Sequence, residues 1–183
     1  MVLIHTLTDP RLHLSLATEG IAVIRTDTLY GVVASATSEH AVERIYQVKS
    51  RQPDKQLIVL ISSVSQLFDS YDEATMQQLE RMWPGKNSIV LPSRLAPEWL
   101  LRGGDSLAYR LPDNEELRKL IEQTGPLVAP SANPEGMEPA MTIGEAQRYF
   151  GDNVDVYVDG GEVSDSSASS VYRLTDTGFE QLR

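Results

Sequence analysis

Short apolar runs separated by polar segments dominate this chain and predict a series of buried β-strands. The runs are rich in Val, Ile, Leu and Ala, and they end in residues typical of turns, such as Gly, Pro, Asn, Asp and Ser. They predict strands over residues 21–24, 31–34, 57–61, 88–91, 107–111, 127–129, 154–158, 170–174 and 179–182. A chain with this pattern is expected to build its core around a sheet.

Between these runs, apolar residues recur with helical spacing, and polar residues mark the helix ends. Asp9 and Pro10 are typical of a first turn, Ser38 can cap the next helix, and Thr142 with Glu145 forms a capping box. Helices are predicted over residues 9–20, 38–49, 72–82, 113–125 and 142–151. The chain has no internal repeat or low-complexity linker. The pattern therefore indicates one α/β domain, residues 1–183, with a mixed sheet.

The amino-acid composition indicates a folded protein and excludes sites that depend on cysteine. Of the 183 residues, 41% are hydrophobic and 23% are charged, which is enough apolar content for a core without disulfides. The chain has no cysteine, so disulfide bonds and thiolate sites are excluded. The first ten residues lack a signal-peptide pattern, and no apolar run reaches the roughly 20 residues that span a bilayer. We therefore expect a cytoplasmic protein without a membrane partner.

The formal net charge of −10 argues against a broad nucleic-acid surface, because such surfaces are usually basic. One segment opposes this balance: Lys49, Arg51 and Lys55 stand against Asp54 alone, three positive charges against one negative, for a local charge of +2. An isolated pair of cations after a helix most often complements the negative end of its dipole. A loop held between a helix and a buried strand would also fix these side chains for phosphate recognition.

Two polar segments follow predicted strands, and each has two readings. Residues 26–28 (Thr-Asp-Thr) and 131–134 (Ser-Ala-Asn-Pro) are typical turn sequences whose side chains satisfy local backbone groups. Both could instead contact a ligand, because α/β proteins bind ligands at strand ends, and the hydroxyl and amide groups of the second segment could bind a ribose or a phosphate. Taken singly, the turn reading is favoured for both.

Several familiar sites are absent from the sequence. Residues 85–88 (Gly-Lys-Asn-Ser) are not a Walker loop, because Glu80 occupies the position of its first glycine and Asn87 that of its Ser or Thr. His5, His13 and His40 lack the spacing of zinc ligands, so no metal cage of protein side chains is expected. There is also no nucleophile elbow. The sequence thus offers no candidate for covalent catalysis.

Six short segments, in this order, resemble the YrdC/TsaC family of threonylcarbamoyl-AMP synthases. They are residues 26–31 (TDTLYG), Lys49-x-Arg51 with Lys55-x-Leu57, residues 83–85 (WPG), Arg110-x-Pro112, residues 131–136 (SANPEG) and residues 169–171 (SSV). The resemblance covers essentially the whole chain, and the first, second and fifth segments are fairly specific in combination. It implies an α/β fold with an open twisted mixed sheet, flanking helices and a positively charged concave face. The length implies the short, single-domain form.

The resemblance implies a nucleotidyltransferase that converts L-threonine, bicarbonate or CO2, and ATP to threonylcarbamoyl-AMP and pyrophosphate. Mg2+ would accompany ATP rather than occupy a protein cage. The product would supply the threonylcarbamoyl-adenosine modification of position 37 in tRNA. Separate downstream proteins would transfer the group, and a weak tRNA contact is compatible with this role.

The matched motifs also imply roles for individual side chains. The resemblance assigns catalysis to Lys49 and Arg51. It assigns ATP binding to Arg51, Lys55, Ser106, Ser131 and Asn133. It assigns threonine binding to Thr26, Tyr30, Arg110, Ala129 and Ser169. A loop over residues 133–141 is expected to act as a lid that excludes water.

The chain departs from the family pattern at a few positions. Arg25 replaces a usual proline, Gln56 a common proline or glycine, and Lys86-Asn87 an apolar or proline pair. Tyr172-Arg173 stands where an acidic residue often closes the last motif. Two alternatives stay open: a noncatalytic RNA-binding or ribosome-maturation module of the same fold, and an enzyme that adenylates a different carbamate or acid.

Overall fold

The computed structural model describes residues 1–164, 168–175 and 178–183, and it contains a long mixed sheet. The strands, in chain order, are β1 (Val2–Ile4), β2 (Ala22–Arg25), β3 (Tyr30–Ser35), β4 (Val59–Leu60), β5 (Asn87–Pro92), β6 (Ser106–Arg110), β7 (Leu127–Val128), β8 (Val156–Val158), β9 (Ser170–Thr175) and β10 (Gly178–Gln181). Their order across the sheet is β1-β8-β2-β3-β7-β4-β6-β5-β9-β10. Strands that are consecutive in the sequence are therefore often not neighbours in the sheet.

Parallel and antiparallel pairs alternate irregularly in this sheet, which confirms the predicted mixed architecture. β8 pairs in parallel with both β1 and β2, β4 with β6, and β5 with β9. The other pairs, including β2–β3 and β5–β6, are antiparallel. The predicted positive charge of the concave face stays a prediction.

Six helices flank the sheet in the described part of the chain. They are α1 (Pro10–Ala17), α2 (Glu39–Lys49), α3 (Glu73–Glu80), α4 (Glu98–Leu101), α5 (Glu115–Thr124) and α6 (Ile143–Phe150). The side chains of Asp9 and Ser38 cap α1 and α2 as predicted, and the side chain of Asp72, where the third helix was expected to begin, caps α3. The cap of α5 lies one residue later than the expected helix start at Asp113, because the Asn114 side chain accepts the first-turn N–H, that of Leu117.

Alternation along the central strands divides the core between the two faces of the sheet. Val23 of β2 packs with the cluster that contains the apolar residues of α2 and α6, whereas Ala22 and Ile24 pack with the cluster that contains those of α1 and α5. Every residue of β3 is buried. The sheet centre is therefore covered on both sides, as in other α/β folds.

One β-strand and one α-helix of the described chain were not predicted from the sequence. β1 is an edge strand of three residues in which only Ile4 is buried, so its apolar pattern is too short to identify. α4 is a single turn after Pro97, without a side-chain cap. Among the described residues, no helix combines the length and apolar character needed to cross a membrane.

Candidate functional site

A cavity of about 400 Å³ opens where the ends of β2, β6 and β7 meet the start of β3. Small-molecule sites in α/β proteins commonly occupy such strand ends. Its described lining residues are Thr26, Thr28, Leu29, Tyr30, Gly31, Arg51, Gln56, Leu57, Ile58, Arg110, Ala129, Pro130, Ser131, Pro139, Ala168, Ser169, Val171 and Arg183. The lining thus includes three arginines and, among these residues, no Asp or Glu.

The turn between β2 and β3 forms one wall of the cavity. The Thr26 hydroxyl donates to the Leu29 carbonyl at 2.7 Å and accepts the Thr28 N–H at 3.2 Å. Thr26 is 6% exposed, so most of its side chain is held by this turn. The predicted turn chemistry and a wall position in the cavity are therefore both present at residues 26–28.

A second wall is the segment after β7, which is bonded directly to β3. The Ala132 N–H donates to the Tyr30 carbonyl at 2.7 Å, and the Val32 N–H donates to the Pro130 carbonyl at 2.9 Å. A Cβ on Gly31 would lie 3.3 Å from both Pro130 O and Thr26 Cγ2, so glycine permits this close approach. The two polar segments singled out in the sequence therefore meet across the cavity.

Lys49 lies beside this second wall rather than in the cavity lining. α2 delivers the residue to a buried position, 2% exposed, and its Nζ donates to the carbonyls of Ser131 and Asn133, at 2.5 Å each. Burial, with a further contribution from Arg51, lowers the pKa of Lys49 from 10.5 to about 7, while Glu135 acts in the opposite direction. The ammonium thus holds the 131–133 segment against the end of α2.

Arg51 points into the cavity because Ser50 adopts a left-handed conformation, φ 49°, that turns the chain at the end of α2. Its guanidinium donates from Nε to the Lys55 carbonyl and from Nη2 to the Gln56 carbonyl, both at 3.0 Å. These bonds use part of the donor fork and fix its direction. The loop is pinned in the way that the sequence suggested.

Lys55 does not line the cavity, although the sequence resemblance assigned it to ATP. Its ammonium pairs with the Glu135 carboxylate, which also accepts the Gln52 N–H at 2.7 Å. The Glu135 N–H in turn donates to the Lys49 carbonyl at 2.8 Å. Glu135, a residue of the expected lid loop, therefore joins that loop to the last residue of α2 and to two residues of the segment after it.

The remaining predicted nucleotide ligands occupy different positions. Ser131 lines the cavity, and its hydroxyl donates to the Asn133 side chain at 2.6 Å. Asn133 lies behind it and donates to the Met137 carbonyl at 2.6 Å, which shapes the 133–141 loop. Ser106 is outside the lining, and its carbonyl accepts from the Gln56 amide at 3.0 Å. The structure brings Ser131 to the cavity but not the side chains of Asn133 and Ser106.

The predicted threonine ligands all line the cavity. Tyr30 contributes its ring, because its buried hydroxyl donates to the Gly161 carbonyl at 2.7 Å and accepts the Gly160 N–H at 3.0 Å. Ala129 follows β7, and Ser169 precedes β9. The Ser169 hydroxyl is 2.9 Å from that of the fully buried Ser88.

Arg110 ends β6 and contributes the most buried guanidinium of the lining. Its Nη2 lies 2.9 Å from Asp27 Oδ1, and the two side chains are 4% and 3% exposed. Burial lowers the pKa of Arg110, Asp27 raises it, and the nearby charge of Arg183 lowers it. Burial raises the pKa of Asp27, against the opposing effect of Arg110.

Two polar residues of the cavity lining, Gln56 and Arg183, were not assigned to the site by sequence reasoning. Gln56 was treated only as a departure from a family pattern, yet it lines the cavity and bonds the Leu101 carbonyl at 2.6 Å. Arg183 enters the lining because β10 returns beside β9, and its Nη2 donates to the Ser169 carbonyl at 3.3 Å. No local pattern around Arg183 marks it in the sequence. Among the described residues, no three His, Asp or Glu side chains form a group that could hold a metal ion.

Comparison with known proteins identifies the family to which the chain is similar. A family model for Sua5, YciO and YrdC proteins, described as "Telomere recombination", matches residues 15–183. A threonylcarbamoyl-AMP synthase from Marinobacter nauticus is 36% identical over 147 residues, covering 77% of each chain. A threonylcarbamoyl-AMP synthase from Pyrococcus abyssi is 37% identical over 157 residues, which are 82% of this chain and 46% of the longer relative.

Solved structures show the same fold. The structure of P. abyssi Sua5 complexed with L-threonine superposes with a TM-score of 0.90 at 31% identity, covering 100% of this chain and 57% of that one. Escherichia coli YciO superposes with a TM-score of 0.84 at 22% identity, which supports the fold alone. The chain thus spans a little over half the length of the archaeal structure.

Proposed function

The chain belongs to the Sua5/YciO/YrdC family, and from that premise we propose that it is an L-threonylcarbamoyladenylate synthase. Relatives that it matches over most of its length bear the name threonylcarbamoyl-AMP synthase. The observation that carries the proposal is the convergence of Arg51, Arg110 and Arg183 on one cavity whose described lining has no Asp or Glu side chain. Such a site is suited to a substrate pair with several anionic groups.

The proposed reaction has two bond-forming steps. The amine of L-threonine adds to CO2 and loses a proton, which gives a carbamate. A carbamate oxygen then attacks the α-phosphorus of ATP, and the bond to pyrophosphate breaks in line. Because the nucleophile is already anionic, the protein need not supply a strong base. Positioning and charge stabilisation carry the catalysis, as in other phosphoryl-group chemistry.

Arg110 and the hydroxyl groups of Thr26 and Ser169 would hold the amino acid. Arg110 would pair with the carboxylate, since its guanidinium is fixed in the wall by β6 and Asp27. Tyr30 and Ala129 would contribute apolar contact beside these polar groups. A mixed wall of this kind suits a small amino acid with a hydroxyl side chain.

Arg51 and Arg183 would face the phosphates, where negative charge is highest. Ser131 would contact the nucleotide directly, whereas Asn133 would act through Ser131 and the loop that it shapes. Lys49 would contribute positive charge from behind the wall and keep the Ser131 segment in place. Lys55 would reach the phosphates only after leaving Glu135. Mg2+ would enter with the substrate as MgATP.

A single assay tests the activity. The protein is incubated with MgATP, bicarbonate and L-threonine, and pyrophosphate and the adenylate are followed by phosphate-release chemistry and mass spectrometry. Threonine-dependent formation of both products is expected. Pyrophosphate that forms equally without threonine would contradict the substrate assignment, and an adduct mass from another amino acid would identify a different substrate.

The biological role is proposed on the same basis. The proposed product, threonylcarbamoyl-AMP, is a reactive mixed anhydride. It would pass to a tRNA-modifying protein that transfers the threonylcarbamoyl group. Mixing the protein with such a transferase and tRNA should give the modified nucleoside. The cytoplasmic location and a direct tRNA contact stay predictions.

A further inference from the structure

The ion pair between Asp27 and Arg110 differs from the other ion pairs of the described chain in its burial. Their side chains are 3% and 4% exposed, whereas the partners in Arg44–Asp155 are 26% and 40% exposed. Asp27 follows β2 and Arg110 ends β6, with three strands between them in the sheet. The pair therefore joins two distant strand ends directly beside the cavity.

Stability alone is a weak explanation for this pair. Removing two charges from water costs several kcal/mol per ion, and a buried pair recovers that cost only when its other polar atoms are also satisfied. In the more exposed pair Arg44–Asp155 the carboxylate is fully bonded, because Asp155 accepts from Ile21 N at 2.8 Å and from both terminal nitrogens of Arg44. Such complete hydrogen bonding of the carboxylate is expected of a pair whose role is purely structural.

Asp27 and Arg110 lack such complete hydrogen bonding. The Nη2–Oδ1 contact of 2.9 Å is an ion pair, and by strict hydrogen-bond geometry neither oxygen of Asp27 nor Arg110 Nε has a partner among the described residues. The Asp27 N–H and the charge of Lys86 also lower the pKa of the Asp27 carboxyl group, but they leave Arg110 Nε without a partner. The guanidinium is thus held from one side while it lines the cavity on another. A donor set that is buried, charged and incompletely used is arranged for an incoming acceptor.

We propose that Asp27 is a positioning residue that aims the Arg110 guanidinium at the carboxylate of the amino-acid substrate. This inference rests on the proposed function, because it takes an amino acid as the ligand beside Arg110. Asp27 also offsets the repulsion between Arg110 and Arg183, so the buried guanidinium can stay charged and stationary before substrate arrives. Preorganisation of this kind lowers the cost of ordering the site on binding.

The test compares two probes that differ only at the carboxylate. Binding of L-threonine and of L-threoninamide is measured by calorimetry in the presence of ATP, for the wild type and for Asp27→Asn. We expect the wild type to prefer the acid, and the substitution to reduce that preference about tenfold through weaker binding of the acid. Affinity for ATP should change less than about twofold. An unchanged preference, or equal losses for both probes, would overturn the inference.

Further variants separate positioning from folding. Asp155→Asn removes a carboxylate from the comparison pair Arg44–Asp155, and it should leave the acid-to-amide preference intact. In an Arg110→Lys background, Asp27→Asn should have little further effect on the preference, because Asp27 acts through Arg110. If Asp27→Asn does not fold, Asp27→Glu should retain the preference, and its loss in that variant would overturn the inference.

The outcomes also separate this inference from the proposed function. A wild type that binds L-threonine but forms no adenylate would refute the synthase activity, while the preference ratio would still decide the role of Asp27. A wild type that makes the adenylate with no change in ratio on Asp27→Asn would refute the inference alone. A wild type that binds neither probe would refute both.

Discussion

Replacement of Lys49 by methionine should separate stability from function at this site. Lys49 is buried, and its ammonium binds the carbonyls of Ser131 and Asn133. Methionine has similar length and apolar volume but no charge and no donor. The substitution therefore removes one buried cation and leaves two carbonyl oxygens without their partner.

Two opposing terms set the expected change in stability. The folded pKa of Lys49 is about 7 instead of 10.5. At 1.36 kcal/mol per pKa unit, the ammonium costs the folded state about 4 kcal/mol at pH 7 relative to an unshifted lysine. Methionine removes that cost, but each orphaned carbonyl costs about 1–3 kcal/mol. The free energy of unfolding should therefore change by less than about 2 kcal/mol at pH 7.

The pH dependence of the stability difference between the wild type and Lys49→Met has a predictable direction. The folded lysine releases its proton near pH 7 and the unfolded one near 10.5, so wild-type stability rises with pH between these values. From pH 7 to pH 9 the gain from this group is about 2 kcal/mol, and Lys49→Met lacks it. The difference between the two proteins should shift by that amount in favour of the wild type.

Urea unfolding of both proteins at pH 7, 8 and 9 measures these quantities, and the adenylate assay at pH 7 measures function. We expect Lys49→Met to fold and to lose at least about 100-fold in kcat/KM, because the Ser131 segment loses its anchor and the site loses a charge. A loss of more than about 3 kcal/mol at pH 7, or a stability difference that does not vary with pH, would refute this reasoning.

Two smaller changes test other contacts of the site. Tyr30→Phe removes a buried hydroxyl that bonds Gly160 and Gly161, so urea unfolding should show a loss of about 1–3 kcal/mol, and a loss well below this range would contradict the contact. Glu135→Gln should release Lys55 and tighten ATP binding a few-fold by calorimetry. The matched control Glu115→Gln breaks the exposed pair with Lys119 and should leave ATP binding unchanged; equal effects would refute the competition.

Helix starts were predictable from the sequence where the capping residue lies within the same turn as the N–H groups that it binds. The caps Asp9, Ser38 and Asp72 satisfy first-turn N–H groups without help from distant residues, so their position is local information. The capping box at Thr142 formed only in part: its hydroxyl accepts from Glu145 N, but the Glu145 carboxylate accepts from Met141 N, one residue before the cap. Element ends depend on such details and are harder to predict.

The site was predictable in its residues and less so in their partners. The motif order identified Lys49 and Lys55 as important, but spacing along the chain does not reveal that carbonyls bind one and Glu135 the other. Arg183 was inaccessible to this reasoning, because it reaches the cavity only through the β9–β10 pairing. Long-range contacts of this kind are set by tertiary structure.

The acidic surface and the arginine-lined cavity act on an anionic ligand over different distances. The net charge of −10 disfavours a long polyanion, which must lie along the outer surface for much of its length. A compact ligand such as the proposed ATP would instead be held at the cavity, and at physiological salt the outer charges beyond roughly 8 Å would be largely screened from it. At the cavity, the buried guanidinium of Arg110 is poorly screened by solvent, and Arg51 and Arg183 add two more positive charges to the lining. The same charge distribution that suits a small nucleotide therefore opposes an autonomous RNA-binding role.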